Sequence, residues 1–194
     1  MSSHGPEMLK MIGKRNVLIL FFSVIFVIAY VYEGQTSGIL NLELPATAPN
    51  TIGVYYDVMK VTDGDTLHVK IGEKDETVRL IGINTPETVD PRRPVQCFGK
   101  EASNRMKEIV NGKIVRLEYD DTQSLRDAYN RILAYVYLED GQMVNRKMVA
   151  EGYAYEYTYL KPYKYQKEFR QLQQLAQSSG RGLWAEDSCN GNTN

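Results

Sequence analysis

Histidine, cysteine and net charge are all scarce in this chain. Its 194 residues hold two histidines and two cysteines, and its formal charge is −1. Cys97 and Cys189 belong to no Cys-x-x-Cys pair, which argues against a zinc site. His4 lies ahead of a long apolar run and His68 has the outward parity of an alternating segment, so both are poor catalytic candidates. There is no Ser–His–Asp arrangement, no glycine loop of the phosphate-cradling kind and no internal repeat. Proteins that grip polyanions by bulk charge carry a basic excess, whereas here 23 lysines and arginines face 24 aspartates and glutamates. Chemistry on an anionic substrate would have to be local, built from a cation and a few arginines.

Charge is absent altogether from Val17 to Tyr32, and Lys10, Lys14 and Arg15 precede that run. As a helix the segment measures ~24 Å, against a hydrocarbon core of ~30 Å. It reads either as an uncleaved anchor or as a cleaved signal. The Tyr30–Gly34 stretch is a poor cleavage site, which favours the anchor. Either way residues 1–16 stay in the cytoplasm and everything after Glu33 is exported, membrane-anchored or secreted. Residues 33–50, with Gly34, Gly38, Pro45 and Pro49, form a linker.

Residues 51–190 form the domain. Leu67, Val69 and Ile71 alternate with polar residues and predict a half-buried strand, with Thr77 to Ile83 as its partner. Tyr55–Val61, Ile114–Tyr119 and Ile132–Tyr137 supply three more strands. Ala102, Met106 and Ile109 predict a helix stopping at Asn111-Gly112. Val144, Met148 and Val149 predict a second helix, and Tyr165, Phe169, Leu172 and Ala176 a third. The fold class is therefore α+β: a five-stranded Greek-key β-barrel of the oligonucleotide-binding type with three α-helices, preceded by one N-terminal hydrophobic helix. Tyrosines crowd Tyr153–Tyr165, as helix–barrel packing or as a base-stacking platform.

Two short stretches carry the chemistry. In Asp63-Gly64-Asp65-Thr66 the first Asp-Gly reads as a turn, and Asp65 stands at the mouth of a strand. In Arg79 to Glu87, Asn84 brings a carboxamide, Thr85 a backbone carbonyl held extended by Pro86, and Glu87 a second carboxylate. Calcium takes six to eight oxygen ligands, and Asp65, Asn84 and Thr85 offer three, with room for water and a phosphate oxygen. Glu87, facing the ion through a water, suits a proton acceptor. Arg79 and Arg131 each offer paired bonds to phosphate oxygens. Arg79 shares parity with Ile81 and Ile83, which leaves its direction open. Arg92 and Arg93 form a basic loop nearby.

These stretches extend into a longer pattern. It runs through Val61–Thr66, Arg79–Glu87, Phe98–Ala102, Tyr129–Tyr137, Gly141–Asn145, Gly152, Lys161-Pro162 and Leu183-Trp184. On these residues the chain resembles the staphylococcal nuclease (thermonuclease) family over about residues 52 to 186. The resemblance implies a calcium-dependent phosphodiesterase acting on DNA and RNA and leaving 3′-phosphates. It implies Asp65, Asn84 and Thr85 as the metal site, Glu87 as general base, Arg79 and Arg131 on the reacting phosphate, and Tyr129 on a terminal phosphate. Asn84 departs from the family pattern, which has a second aspartate there, so calcium should bind more weakly. Ala128 replaces a lysine, and Thr158 and Leu160 replace tyrosines near the nucleotide. The alternative class is a non-catalytic binding module on the same barrel. The partners implied are nucleic acid as substrate and the membrane through the N-terminal helix; no feature calls for a protein partner. Cys97 and Cys189 are either two unrelated thiols or a disulfide, and an extracytoplasmic domain favours the latter.

Overall fold

Alternating apolar residues dictate the frame. The computed structural model describes residues 53–88 and 95–192. The apolar run at 17–32, the linker at 33–50 and Arg92 and Arg93 lie outside the described residues. Among those described, no helix is long and apolar enough to cross a membrane. Strands β1 (Tyr55–Val61), β2 (Thr66–Ile71) and β3 (Lys74–Leu80) form an antiparallel meander. Its inward residues include Leu67, Val69, Val78 and Leu80, all essentially inaccessible to solvent. After the two-residue β4 (Ile83–Asn84) and helix α1 (Gly99–Val110) come β5 (Ile114–Glu118) and β6 (Ile132–Leu138). Strand β6 runs parallel to β3 and antiparallel to β5, and β1 pairs with β5. The barrel is thus closed in the order β1-β2-β3-β6-β5.

Helices α2 (Val144–Ala150) and α3 (Gln166–Ser178) follow, separated by β7 (Tyr155–Glu156), and a short 3-10 turn spans Gly182–Trp184. The expected apolar stripes are the buried faces: Ala102, Met106 and Ile109 on α1, Val144, Met148 and Val149 on α2, Phe169, Leu172 and Ala176 on α3. Full burial of a side chain such as Phe169 contributes about 2–3 kcal/mol. Cys97 and Cys189 are joined in a disulfide with Cα atoms 6.0 Å apart.

One expected element is corrected. The partner of β2 is Lys74–Leu80, not Thr77–Ile83. The chain leaves the barrel at Ile81-Gly82, where Gly82 takes a φ of 78°. A Cβ there would sit 2.4 Å from the Tyr163 ring, so only glycine fits the turn. Beyond it β4 pairs with β7 instead of continuing β3. Asn145 locks this turn from α2. Fully buried, it donates from Nδ2 to the Ile81 carbonyl (2.8 Å) and accepts from the Val136 amide (2.9 Å).

Asp120, just after β5, plays the same role at the other end of the helical layer. It accepts from Tyr135 Oη (2.6 Å), the Lys164 amide (2.8 Å), and the amide and hydroxyl of Thr122 (2.9 and 2.7 Å). Burial opposes its charge, but those four donors outweigh it and hold the carboxyl below its ordinary 3.8. Removing the carboxylate strands the buried Tyr135 hydroxyl and the Lys164 amide, so Asp120→Ala should cost about 2–4 kcal/mol at neutral pH. A depressed folded-state pKa means the stabilisation is complete above 3.8 and lost as pH falls through the lower folded value. Melting temperatures of wild type and variant should therefore converge under acid. A gap that widened below pH 4 would contradict this.

Candidate active site

Gly64 sets the site's geometry. A Cβ on it would lie within 2.9 Å of both Thr85 and Ala102, so glycine lets the Asp63–Asp65 turn press against the segment after β4 and against α1. Asp65 is thereby buried, 5% exposed. Its Oδ2 accepts from the Thr85 amide (2.8 Å) and hydroxyl (3.1 Å), and its Oδ1 from the Thr66 hydroxyl (3.0 Å). Asp63, read from sequence as a turn residue, is the second acid here: its Oδ1 accepts from the Asp65 amide (3.0 Å). Burial, and then the Asp65 charge, push its carboxyl up to about 7. Two carboxylates this close and this dry call for added positive charge.

Arg79 supplies part of it. Because β3 ends at Leu80, Arg79 does not share the buried face of Ile81 and Ile83 that its parity suggested. It lies on the opposite face from Val78 and Leu80 and reaches Asp65 Oδ1 with Nη1 at 2.8 Å. Nη1 also meets the Ile83 carbonyl (3.1 Å), and Nη2 donates to Asn84 Oδ1 (2.7 Å). Asn84 Nδ2 donates in turn to Tyr155 Oη (2.5 Å), which orients the amide with its oxygen toward Arg79. Tyr155 was not foreseen; its role exists only because β4 pairs with β7.

Arg131 and Tyr129 come from the loop before β6. Asp127 Oδ1 accepts from the Tyr129 and Arg131 amides (2.9 and 3.0 Å), and its Oδ2 receives Arg131 Nε (2.7 Å). Asn130 completes the loop at a φ of 63°, a left-handed conformation asparagine tolerates. The Arg131 guanidinium lies 5.4 Å from the Tyr129 ring centre. A cleft of about 350 Å³ gathers Arg79, Asn84, Tyr129 and Arg131. Asp127 was missed in the sequence, although an acid four residues ahead of an arginine in a turn-rich stretch is a readable signal.

The tyrosine cluster divides in two. Tyr163 and Tyr165 pack on Phe169 at 5.7 and 6.2 Å between ring centres, whereas Tyr157 and Tyr159 line the cleft. Glu87 stands apart from this cleft. Its Oε1 accepts from the Thr88 amide (2.8 Å), and its backbone is clasped by Gln96, Glu87 N to Oε1 at 2.7 Å and Gln96 N to Glu87 O at 2.9 Å. It is two residues from Thr85, which is bound to Asp65.

Asp65, Asn84, Thr85 and Arg79 therefore form one hydrogen-bonded cluster, and Arg131 and Tyr129 share a cleft with Arg79 and Asn84. Among the described residues no three His, Cys, Asp or Glu side chains converge on one point. The donors at the cluster are hard oxygens, among them those of the buried Asp65 and the half-buried Asp63, which fits calcium or magnesium and not a soft metal.

The staphylococcal nuclease homologue family matches residues 77–186. The chain is 44% identical over 130 residues to the thermonuclease of Staphylococcus hyicus, covering 67% of this chain and 75% of that protein. To the thermonuclease of Staphylococcus intermedius it is 39% identical over 169 residues, 87% and 95% of the two chains. To endonuclease YncB of Bacillus subtilis it is 41% identical over 128 residues, 66% and 60%.

Proposed function

The chain belongs to the staphylococcal nuclease family, and on that premise we propose that it is a calcium-dependent nuclease hydrolysing DNA or RNA to 3′-phosphates. The observation that carries this reading is the Arg79 guanidinium bridging Asp65 and Asn84 at the wall of the cleft that also holds Arg131. Asp65, Asn84 and the Thr85 carbonyl would hold the ion, with Asp63 behind them. When bound, calcium supplies positive charge to a phosphate oxygen and a place to orient water.

The remaining work falls to side chains. Glu87 accepts a proton as the water oxygen attacks phosphorus; the bond from phosphorus to the 5′ oxygen breaks, that oxygen takes a proton from solvent water to leave as the hydroxyl, and the phosphate stays on the 3′ side. Arg131 and Arg79 donate to the non-bridging oxygens, whose charge grows in the transition state. Arg79 must first leave Asp65 and Asn84, whose oxygens it now satisfies. Tyr129 meets a terminal phosphate, and Tyr157 and Tyr159 offer ring faces to a base.

The domain acts outside the cytoplasm, anchored through the 17–32 segment or released if that segment is cleaved. The disulfide supports an oxidising compartment.

The test is digestion of denatured DNA by the full chain with calcium and then with chelator. Cleavage should require the ion, and its products should carry phosphatase-sensitive 3′ ends. Asn84→Asp, which restores a negative ligand, should lower the half-saturating calcium concentration severalfold. Binding without cleavage at millimolar calcium would leave a binding module instead.

A further inference from the structure

A second recess, of about 260 Å³, lies beside α1 and shares no described residue with the cleft. It is lined by Thr62, Thr88, Lys100, Ser103, Asn104 and Lys107. The last four recur at i, i+3, i+4 and i+7, so they form one face of α1. Each of these described lining side chains carries a hydrogen-bond donor, and none of them is acidic. Neither lysine has a carboxylate partner among the described residues, whereas their neighbour Arg105 turns away to Glu108 and Glu151. Thr88 Oγ1 is buried and has no hydrogen-bond partner. The Thr88 methyl packs on Gly99, where a Cβ would sit 2.6 Å from it. A buried hydroxyl left unsatisfied beside two unpaired ammonium groups is a site short of an acceptor.

The recess is also in the right place. Thr62 directly precedes Asp63 and Thr88 directly follows Glu87, and neighbouring Cα atoms lie about 3.8 Å apart. A strand lying on the Asp63–Asp65 turn meets two carboxylates there, while Arg79 and Arg131 are already engaged with Asp65 and Asp127. In a chain of net charge −1, attraction has to come from local unpaired cations.

We propose that this recess is a second phosphate subsite, holding a backbone phosphate of the nucleic-acid strand on the far side of the carboxylate cluster from the cleft. The proposal rests on the nuclease reading for its ligand. Lys100 and Lys107 neutralise the phosphate, and Thr88, Ser103 and Asn104 donate to its oxygens. The subsite tightens the grip on long strands and gives a dinucleotide, which fills the cleft alone, nothing.

The experiment compares full-length wild type with Lys100→Gln/Lys107→Gln, Thr88→Val, and a charge-matched control, Lys113→Gln/Lys167→Gln, whose lysines are exposed elsewhere. Binding of a labelled oligothymidylate that spans both recesses is followed by anisotropy against salt, in the Glu87→Gln background so that the strand survives. The subsite predicts an affinity loss of roughly tenfold for the Lys100/Lys107 pair, with a log–log salt slope shallower by about 0.7 for each phosphate no longer neutralised. It predicts a smaller loss for Thr88→Val, none for the control pair, and unchanged kcat/KM on a dinucleotide in the Glu87 enzyme. Inorganic phosphate should compete only weakly if a strand is the ligand; full displacement at low millimolar phosphate would overturn the strand assignment. Equal losses in the control pair, or equal losses on the dinucleotide, would also overturn the subsite. A wild type that binds the strand with the predicted slope but never cleaves would sink the nuclease reading and leave the subsite standing.

Discussion

Glu87→Gln should lower phosphodiester cleavage by roughly a hundred- to ten-thousandfold, the range for loss of a positioned general base, if Glu87 plays the role proposed for it. Strand affinity should barely move, because glutamine keeps the shape of the side chain and its acceptor for the Thr88 amide. Arg131→Ala should cost roughly a hundred- to a thousandfold in kcat, as for removal of one preorganised donor to a developing anion. Arg131→Lys should recover little of this, since an ammonium cannot reproduce a planar two-pronged contact. Asp127 discriminates between positioning and chemistry. It binds Arg131 through both the guanidinium and the amide, so Asp127→Asn should lower kcat less than Arg131→Ala and add nothing to it in the double variant. Near-wild-type rates in Glu87→Gln, measured by single-turnover cleavage of an end-labelled strand, would remove the glutamate from the reaction.

The barrel was legible where its strands alternate long enough to declare a face, as Leu67 and Val69 do in β2 and Val115 and Leu117 in β5, all of them buried. Elements of two residues carry no period, which is why β4 and β7 were invisible and why β3 was run on to Ile83. That single error is what left Arg79 without a direction, since its face depends on the chain turning at Gly82. The candidate ligands read from short motifs were compact in sequence; Thr85 bonds Asp65 directly, and Asn84 is linked to it through Arg79. The residues that organise them sit elsewhere. Tyr155 reaches Asn84 across 71 positions, and Asp127 acts by shaping a loop, not by belonging to a motif. Tyr157 and Tyr159 line the cleft from a tyrosine-rich stretch whose composition alone leaves packing and base stacking undivided.

Reducing the Cys97–Cys189 bond should destabilise the domain at least as much as Asp120→Ala. The two cysteines are 92 positions apart, and closing a loop of that length contributes roughly 4–5 kcal/mol in the chain-entropy model, with measured values commonly about 2–4. For a domain of this size that corresponds to a fall in melting temperature on the order of 10 °C. The bond also bears on catalysis. Cys97 is followed by Phe98, whose φ of 67° turns the chain into α1, and preceded by Gln96, which holds both the amide and the carbonyl of Glu87. Slackening residue 97 should therefore loosen Glu87, the proposed proton acceptor, as well as the C-terminal tail. Cys97→Ser/Cys189→Ser should melt lower, be indifferent to dithiothreitol, and lose kcat at temperatures where its far-UV spectrum is still native. Wild type in dithiothreitol should behave as that variant does. A wild-type melting curve unmoved by full reduction, checked by alkylation and mass, would mean the bond constrains nothing the folded barrel does not already fix.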